Sequence, residues 1–446
     1  MSTNDLTLLS ATQAASAIAA GDILSVELLA ACLDRIDARE PQVSAWQTLD
    51  RDFVLAQARH CDELRQTGRM IGPLHGVPVA VKDNIDTTDL PTEDGTVLHA
   101  GRRPLEDATL VARLKGAGAV ILGKTVTTEF AYFTPGKTRN PHDPAHTPGG
   151  SSSGSAAAVG AGMCPLAVGT QTNGSVIRPA AFCGVVGFKP SFGLISRHGV
   201  LRTSRSLDQV GVFARTVDDA ALAAQCLAGH DPQDPDTRHL SVQQMSNVAR
   251  SEPPLEPLFG MLRSPLWEHA AQDTRGGFAE LAQDLGPRCL AFDLGDTALE
   301  VNRVLHTIMR AEIAFNLGGE YQRGRQRMSA RLVELIESGR EVSAVDYQQA
   351  IRQAAALHDD IDTLFDSCDA LMLPAAPGTA PAGLESTGDP VFCSMASLLG
   401  LPAVSLPLMV GVNGLPIGVQ LVGRRFDDGR LLRSANWLVR RLAEPD

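Results

Sequence analysis

Residues 149–190, GGSSSGSAAAVGAGMCPLAVGTQTNGSVIRPAAFCGVVGFKP, carry the strongest structural signal in the chain. They place hydroxyl side chains and glycines at both ends of an alanine-rich segment that favours a short helix followed by a strand. Polar side chains in such uncharged surroundings cost about 1–3 kcal/mol each unless they find hydrogen-bond partners. Glycines beside a serine also expose backbone N–H groups, which an oxyanion-binding site requires. The stretch therefore indicates a buried site built around serine hydroxyls.

The same stretch overlaps one of two long gaps in the charge pattern. Residues 144–177 and 390–423 are two runs of 34 residues without Asp, Glu, Lys or Arg. A membrane helix needs about 20 mostly apolar residues, but serines, Gln171 and Asn173 interrupt the first run and three prolines break the second. Backbone left unpaired at such breaks is not tolerated against lipid. We interpret both runs as buried protein interior and predict no membrane contact.

Composition narrows the class of protein further. The 446 residues include 39 Lys plus Arg and 51 Asp plus Glu, a net charge of −12, which argues against a nucleic-acid-binding protein. Hydrophobic residues make up 44% of the chain, which is enough for a sizeable core. The eight cysteines are scattered without a CxxC pair, so they indicate neither a disulfide scaffold nor a zinc site. The N-terminus has no pattern typical of a secretory signal, and we predict a cytoplasmic location.

Short apolar runs typical of strands alternate with helical runs along the chain. Strands that are apolar throughout predict an α/β protein whose central sheet is covered on both faces by helices. The expected strands are 77–81, 120–122, 166–168, 210–213, 370–373, 404–408 and 417–422. The expected helices are 11–38, ended by Pro41, and 108–117, 155–162, 216–228 and 343–365. We predict one domain, 1–446, divided into a helical segment 1–65, a core 70–215, a variable excursion 230–345 and C-terminal strands and helix 366–446.

Three short motifs imitate well-known sites, but their local context argues against each of them. Residues 118–125, GAVILGKT, match a phosphate-binding loop, yet the positions that must form the loop are those of a buried strand. Residues 150–154, GSSSG, match the nucleophile elbow of α/β hydrolases, which requires a strand directly before it, whereas a proline-broken polar loop precedes them. His142 and His146 have helical spacing for a metal, but Pro144 lies between them.

Lys82 follows the expected strand 77–81 and is a candidate base. A lysine held at the end of an apolar strand loses hydration, which lowers its pKa and lets its neutral amine accept a proton. The alternative is that Lys82 reaches the surface or pairs with Asp83 or Asp86. The residues alone leave both interpretations open.

Taken together, these segments resemble the amidase signature family of hydrolases. The resemblance covers most of the chain and rests on four segments: 72–87 (GPLHGVPVAVKDNIDT), 107–132 (DATLVARLKGAGAVILGKTVTTEFAY), 149–190 and 400–423 (GLPAVSLPLMVGVNGLPIGVQLVG). It implies a central mixed β-sheet covered on both faces by helices, with the segment 400–423 packed in the sheet beside the serine-rich stretch. It also makes Lys124 part of a structural strand end.

The resemblance implies a Ser–cisSer–Lys triad, carried over position by position. The lysine of the family's V-K-D-N falls on Lys82, the serine after the paired glycines on Ser151, and the nucleophile at the end of T-G-G-S on Ser175. Neutral Lys82 then accepts a proton from Ser151, which takes one from Ser175 as it attacks the substrate carbonyl. Water releases the acid from the acyl-enzyme. No cofactor and no metal are implied.

The turn before the nucleophile departs from the family's D-T-G-G-S. It consists of Gln171, Thr172, Asn173 and Gly174, which we assign with Arg178 to oxyanion or substrate binding. Asn tolerates left-handed backbone, so we expect the turn to survive at Asn173. Arg178 stands three residues after Ser175 instead of two, which resembles a malonamidase-like subclass with a Q-T-x-G-S-V-I-R-P motif. Arg178 binds a substrate carboxylate or forms a structural ion pair, and both remain open.

The resemblance predicts hydrolysis of an amide C–N bond to an acid and an amine or ammonia. One alternative is a carbamate, urethane or urea-derivative hydrolase with the same triad. A second is the amidase-like subunit of a tRNA-dependent amidotransferase, against which the altered turn and the lack of an evident partner element weigh. The expected partner is a small-molecule amide or carbamate, and a homodimer is left open. We expect residues 299–347 and the loop 132–146 to line or cover the pocket, with Phe130, Tyr132 and Phe133 as its wall or as plain core.

Overall fold

The computed structural model of the chain describes residues 5–69, 72–239 and 244–443. The predicted segments therefore have residues 1–4, 70–71, 240–243 and 444–446 outside the described part. Within the described part the chain is a mixed α/β protein, as the sequence predicts, with one large sheet and helices on both of its faces. No helix among these residues is both long and apolar enough to cross a bilayer.

The described residues form a sheet of eleven strands. The strand bounds are β1 Trp46–Thr48, β2 Pro78–Lys82, β3 Val120–Thr125, β4 Leu166–Gln171, β5 Val186–Lys189, β6 Gln209–Ala214, β7 Phe259–Arg263, β8 Cys289–Asp293, β9 Ala370–Pro374, β10 Ala403–Val410 and β11 Pro416–Val422. Their order across the sheet is β1-β3-β2-β4-β6-β5-β10-β11-β9-β7-β8. β2 runs parallel to β3 and β4, and β7 runs parallel to β8 and β9, whereas the other neighbours are antiparallel.

Helices cover both faces of this sheet. The α-helices are α1 Ala11–Ala20, α2 Ser25–Val43, α3 Arg51–Gln66, α4 Thr109–Gly116, α5 Ser153–Gly160, α6 Ile177–Cys183, α7 Val217–Leu227, α8 Met245–Arg250, α9 Gln272–Leu285, α10 Thr297–Asn316, α11 Gly318–Gly324, α12 Ala330–Arg340, α13 Ala344–Asp362, α14 Ser394–Leu398 and α15 Asp428–Ala443. Alternate residues of β2 show the two-sided burial: Val79 and Val81 pack in one apolar cluster with α4 and α7, and Ala80 packs in another with α3 and α5.

The structure extends and corrects the predicted elements. The seven expected strands are present, but β1, β5, β7 and β8 were not predicted, and β7 and β8 add two strands from within the segment 230–345 to the sheet. The predicted helix 11–38 is wrong as a single helix. It divides at Gly21, whose φ of 83° caps α1 in the left-handed conformation.

Pro41 does not end the second helix, contrary to the prediction. It lies inside α2, which continues to Val43 and closes with the Ser44 N–H donating to Glu40 O. A proline in the last turn removes only one helical hydrogen bond, and the bond to Glu40 is formed beyond it. Ser343 caps α13 as predicted, since its hydroxyl accepts from the Asp346 N–H.

Parallel pairing places the functional segments together. The carboxyl ends of β2, β3 and β4 meet at one edge of the sheet, because β2 lies between two parallel neighbours. The helix α5 packs on these strands, and α6 packs beside it on β5, β10 and β11. The second uncharged run supplies β10 and β11, and β10 pairs with β5 as the resemblance implies.

Candidate active site

Lys82 lies at the carboxyl end of β2 and is fully buried. Its Nζ is 2.7 Å from Ser151 Oγ and 2.8 Å from Thr170 Oγ1. Burial lowers the pKa of Lys82 well below its usual range, while the negative charges of Asp208 and Asp94 oppose that shift. Burial therefore favours the neutral amine, which is the form that accepts a proton from a hydroxyl.

Lys82 neither reaches the surface nor pairs with Asp83 or Asp86. Lys124 of β3 is the lysine that faces Asp83, with 3.2 Å between its Nζ and the carboxylate Oδ1, and it also donates to Thr92 Oγ1 at 2.6 Å. Most of the segment 118–125, which matches the sequence of a phosphate-binding loop, thus forms the buried strand β3, as predicted.

The GSSSG motif at 150–154 and the pair His142 and His146 also lack the geometry of the sites that they match. Residues 150–152 form an irregular segment that leads into α5, and the Ser152 hydroxyl donates to Thr170 O at 3.1 Å in the interior. His142 Nε2 is 2.9 Å from Cys183 O, and His146 lies beside Asp143. The described ranges contain no group of three His, Cys, Asp or Glu side chains that would hold a metal ion.

Ser151 follows the paired glycines and connects Lys82 to the cavity. The Gly150–Ser151 peptide bond is cis, as the resemblance implies for this position. Ser151 is buried and lines the same cavity as Ser175, which is more exposed. The structure thus brings together the three predicted residues Lys82, Ser151 and Ser175 at one site.

Gln171 shapes the turn from behind and does not line the cavity. Its Oε1 accepts from the N–H groups of Val176 at 2.8 Å and Ile177 at 3.0 Å, and its Nε2 donates to Ser397 Oγ at 2.9 Å. These bonds satisfy the first amides of α6. Thr172 does line the cavity, and its hydroxyl donates to Asp208 Oδ1 at 2.6 Å.

Three residues of the turn, Asn173, Gly174 and Ser175, line the cavity. No hydrogen bond in the described part of the chain uses the N–H groups of Asn173, Gly174 or Ser175. A Cβ on Gly174 would lie 2.8 Å from Pro390 Cβ and 3.0 Å from Arg178 Nη1, so no larger residue fits there. The turn is kept at Asn173 without the left-handed backbone that Asn tolerates, because neither Asn173 nor Gly174 has a positive φ.

The cavity is small and largely apolar, with an empty volume of about 390 Å³. Phe130, Tyr132 and Phe133 all line the cavity, so of the two alternatives for these residues the aromatic wall is the one observed. Phe130 and Ala131 have φ angles of 47° and 57°, which are strained for side chains of this kind. The remaining lining residues are Ser151, Thr172, Asn173, Gly174, Ser175, Arg178, Thr203, Met309, Ile313 and Thr387.

Arg178 is buried beside this cavity without an acidic partner. Its Nε donates to Thr387 O at 2.7 Å, and its Nη2 donates to Gly150 O at 2.7 Å and to Thr387 Oγ1 at 3.1 Å. It forms no ion pair with any described residue, so of the two open alternatives the structural ion pair is not observed, although its hydrogen bonds join the segments of Gly150 and Thr387. Burial lowers the pKa of Arg178 to about 10, which leaves it a cation at neutral pH.

Comparisons with known proteins agree with this architecture. The amidase family model matches residues 27–432, which is most of the chain. The chain belongs to the amidase signature family. The A subunit of the glutamyl-tRNA(Gln) amidotransferase of Chloroflexus aurantiacus is 37% identical over 468 residues, with 95% of each chain covered.

Solved structures of amidase signature proteins are similar over nearly the whole chain. One is a protein of "an unexpected vestigial protein complex" that "reveals the evolutionary origins of an s-triazine catabolic enzyme", with a TM-score of 0.91, 30% identity, and 97% of this chain and 98% of that chain covered. Another is the peptide amidase of Stenotrophomonas maltophilia, with a TM-score of 0.83, 29% identity and 98% of both chains covered.

Several residues that complete this amidase signature site were not predicted from the sequence. Thr170 contacts Lys82, and its Oγ1 also accepts from Asn84 Nδ2 at 3.0 Å. Asp208 accepts from Thr172, from the Thr203 hydroxyl at 2.7 Å and from two backbone N–H groups. The position of Thr170 near the end of a strand was a usable signal, because that strand leads directly to the turn. Asp208 gave none, since its partners come together only through the tertiary fold.

Proposed function

We propose that this amidase signature protein hydrolyses the C–N bond of a small amide that carries a carboxylate. Ser175 is the nucleophile, Ser151 relays protons, and neutral Lys82 is the base. The observation that carries the proposal is the 2.7 Å approach of buried Lys82 Nζ to Ser151 Oγ, at a cavity that also exposes Ser175. At this distance the neutral lysine amine can accept the proton of the Ser151 hydroxyl.

The proposed reaction is an acyl transfer to Ser175 followed by hydrolysis. Lys82 Nζ takes the proton of Ser151, Ser151 takes that of Ser175, and Ser175 Oγ attacks the amide carbon. The N–H groups of Gly174 and Ser175 hold the oxyanion. The relay returns a proton to the nitrogen as the C–N bond breaks, and ammonia or an amine leaves. Water then adds to the acyl-enzyme by the same relay, and the acid departs.

The positive charge of Arg178 at the cavity is the reason for proposing a substrate that carries a carboxylate. Arg178 is buried, its Nη1 has no partner among the described residues, and no acidic side chain of the described chain lines the cavity. A buried guanidinium that lacks an anion favours a carboxylate, which it can bind through charge-assisted hydrogen bonds. This agrees with the malonamidase-like subclass that the position of Arg178 suggested. The small volume favours a short substrate such as malonamate.

A second candidate is the amidase-like subunit of a tRNA-dependent amidotransferase. The names of the relatives favour this candidate over an amidase that acts alone, because the Chloroflexus relative is such a subunit. Its chemistry is the same C–N cleavage, with the released nitrogen passed to partner subunits and an aminoacyl-tRNA. The Q-T-N-G-S-V-I-R-P turn, which departs from the family's usual D-T-G-G-S, is the feature that favours the first candidate.

One panel of substrates tests both candidates. The purified chain is assayed alone for ammonia release from malonamate and glutamine, from malonamide and propionamide, which are neutral analogues of malonamate, and from butyl carbamate and urea. We expect turnover of carboxylate-bearing amides, with malonamate preferred. A chain that is silent alone but cleaves glutamine when produced with the other amidotransferase subunits is the second candidate. Turnover of only the carbamate or urea contradicts both.

A further inference from the structure

Asn173 occupies a position where the family's usual turn has glycine. The backbone does not explain the exchange, because φ at Asn173 is not positive and the turn does not need the left-handed tolerance of Asn. Asn173 is instead buried, with 5% of its surface exposed, and it lines the catalytic cavity. The side-chain amide is therefore the part of this residue that needs an explanation.

Ser394 contacts this amide from behind the turn. The Ser394 hydroxyl lies 3.2 Å from Asn173 Oδ1 and 2.6 Å from Asn302 Oδ1, so its one proton is shared between two amide oxygens. Asn302 is itself held in α10, where its Nδ2 donates to Ala298 O at 3.1 Å. Asn173 Oδ1 thus faces Ser394, and the other end of the amide, Nδ2, has no partner among the described residues.

A buried N–H group without an acceptor costs about 1–3 kcal/mol. Two cavity-lining side chains carry this cost in the described part of the chain, Asn173 at Nδ2 and Arg178 at Nη1. Both atoms are buried donors, and one of them belongs to a cation. A Cβ at position 174 would lie 3.0 Å from Arg178 Nη1, so glycine at this position keeps a side chain away from that atom. Both groups can donate to an acceptor in the cavity, and a carboxylate supplies two acceptor oxygens with a negative charge.

We propose that Asn173 determines substrate specificity by donating from Nδ2 to the carboxylate of the substrate, beside Arg178 Nη1. The inference rests on the proposed function and adds a residue to it. Asn173 is not needed for the oxyanion, because the free N–H groups of Gly174 and Ser175 are available for that charge. The role predicts an effect on binding of the carboxylate and not on the chemical step.

The first test measures binding without turnover. Malonate, a dicarboxylate, is titrated by calorimetry into Ser175→Ala protein, with and without Asn173→Ala or Asn173→Gly. We expect malonate to bind about tenfold more weakly when the amide is absent, in proportion to the loss of one hydrogen bond to a charged group. Asn173→Gly is the safer variant for folding, because glycine is the family's usual residue there. Thermal unfolding of each variant confirms that it folds.

The second test compares two substrates of nearly equal size. Malonamate and neutral malonamide differ in one carboxylate, so their ratio of kcat/KM isolates its recognition. Asn173→Gly is expected to lower this ratio about tenfold, mainly through a higher KM for malonamate, as loss of one hydrogen bond to a charged group implies. Asn173→Asp, of the same shape but negatively charged, is expected to lower it further by repulsion. Asn247→Ala, an exposed asparagine on α8, is the matched control.

The outcomes separate this inference from the proposed function. Equal losses of kcat on both substrates would assign Asn173 to the oxyanion and overturn the inference. Unchanged malonate affinity and an unchanged ratio would also overturn it, while Ser175-dependent turnover would leave the proposed function in place. If the wild-type chain cleaves no amide, the proposed function fails, and the malonate titration still decides whether Asn173 binds a carboxylate.

Discussion

The ends of β2 and β3 hold two buried lysines whose surroundings differ. The strands are parallel neighbours, and Lys82 on β2 and Lys124 on β3 are both fully buried. Lys124 has the Asp83 carboxylate at 3.2 Å, whereas the Lys82 amine, among the described residues, hydrogen-bonds only to the hydroxyls of Ser151 and Thr170. Burial lowers the pKa of both lysines, and contact with Asp83 opposes the shift at Lys124.

The partner, and not burial, therefore separates the roles of the two lysines. A buried cation with a contacting carboxylate is compensated and holds its segment in place. A buried amine that meets only hydroxyls is most stable without its proton, and a serine beside it can lose one to it. We regard Lys124 as structural and Lys82 as the base of the proposed reaction. Substitutions at the two lysines and at the groups around them test this division of roles.

The largest effect is expected at the end of the relay that begins at Lys82. Ser175→Ala should remove turnover of amides completely, because no other hydroxyl is proposed to form the acyl-enzyme. Ser152→Ala is the matched control, since Ser152 is buried and its hydroxyl bonds the backbone of Thr170. Ammonia release from malonamate measures both. Turnover lost in Ser152→Ala but kept in Ser175→Ala would favour the nucleophile elbow and remove the reason to treat Lys82 as a base.

The lysines themselves should separate by activity. Lys82→Met is expected to reduce kcat by about 10²–10⁴, the usual range for loss of a general base. Lys124→Met should retain its kcat within a few-fold per folded molecule, because Lys124 contacts no residue of the proposed relay. Active-site titration with an acylating inhibitor gives the competent fraction of Lys124→Met, and thermal unfolding confirms that Lys82→Met, which lacks the base needed for acylation, is folded. Similar kcat losses in both variants would mean that the contacting carboxylate does not distinguish their roles.

For stability, in contrast to activity, we expect the larger loss in the Lys124 variant. Lys124→Met leaves Asp83 buried without its cation, and we expect the free energy of unfolding to fall by about 3–5 kcal/mol. Lys82→Met leaves hydroxyls only and should cost about 1–2 kcal/mol. Urea unfolding measures both. Adding Asp83→Leu to Lys124→Met should recover part of the loss, and no recovery would show that Asp83 is not the cause.

The sequence predicted the frame of this site because its signals were local. Apolar runs predicted seven of the strands, and the hydroxyl-rich stretch 149–190 predicted a buried site. Elements fixed by their neighbours were missed, such as β5, whose Lys189 is buried and donates to Leu401 O from a distant segment. The break at Gly21 was missed because the apolar pattern of 11–38 continues across it.

The candidate site divides in the same way. Lys82, Ser151 and Ser175 lie in segments that resemble a known family, so their proximity was an expectation from the sequence. Gln171 was assigned to the cavity because it adjoins the turn, but its amide bonds Val176, Ile177 and Ser397 behind it. Side-chain direction at a turn depends on tertiary partners. Sequence spacing does not contain that information.

The smallest effect on activity is expected from removing the charge of Asp208, which acts on the pKa of Lys82 without contacting the lysine. Asp208 opposes the lowering of the Lys82 pKa, so Asp208→Asn should lower that pKa further, because a stabilising negative charge is lost. The neutral amine is the active form, and the acid limb of kcat/KM should therefore move to lower pH, by up to about one unit. Asn can keep one acceptor for the Thr172 hydroxyl.

The matched control for this shift is Asp428→Asn. Asp428 is also buried and accepts hydrogen bonds from Ser191, but its charge acts on Lys189 and is not among those that shift the pKa of Lys82. Its substitution should leave the acid limb in place while costing stability. An acid limb that stays put in Asp208→Asn, or moves to higher pH, would mean that the group titrating in kcat/KM is not Lys82. The contrast with Lys124 would then rest on stability alone, because activity would no longer report a neutral lysine.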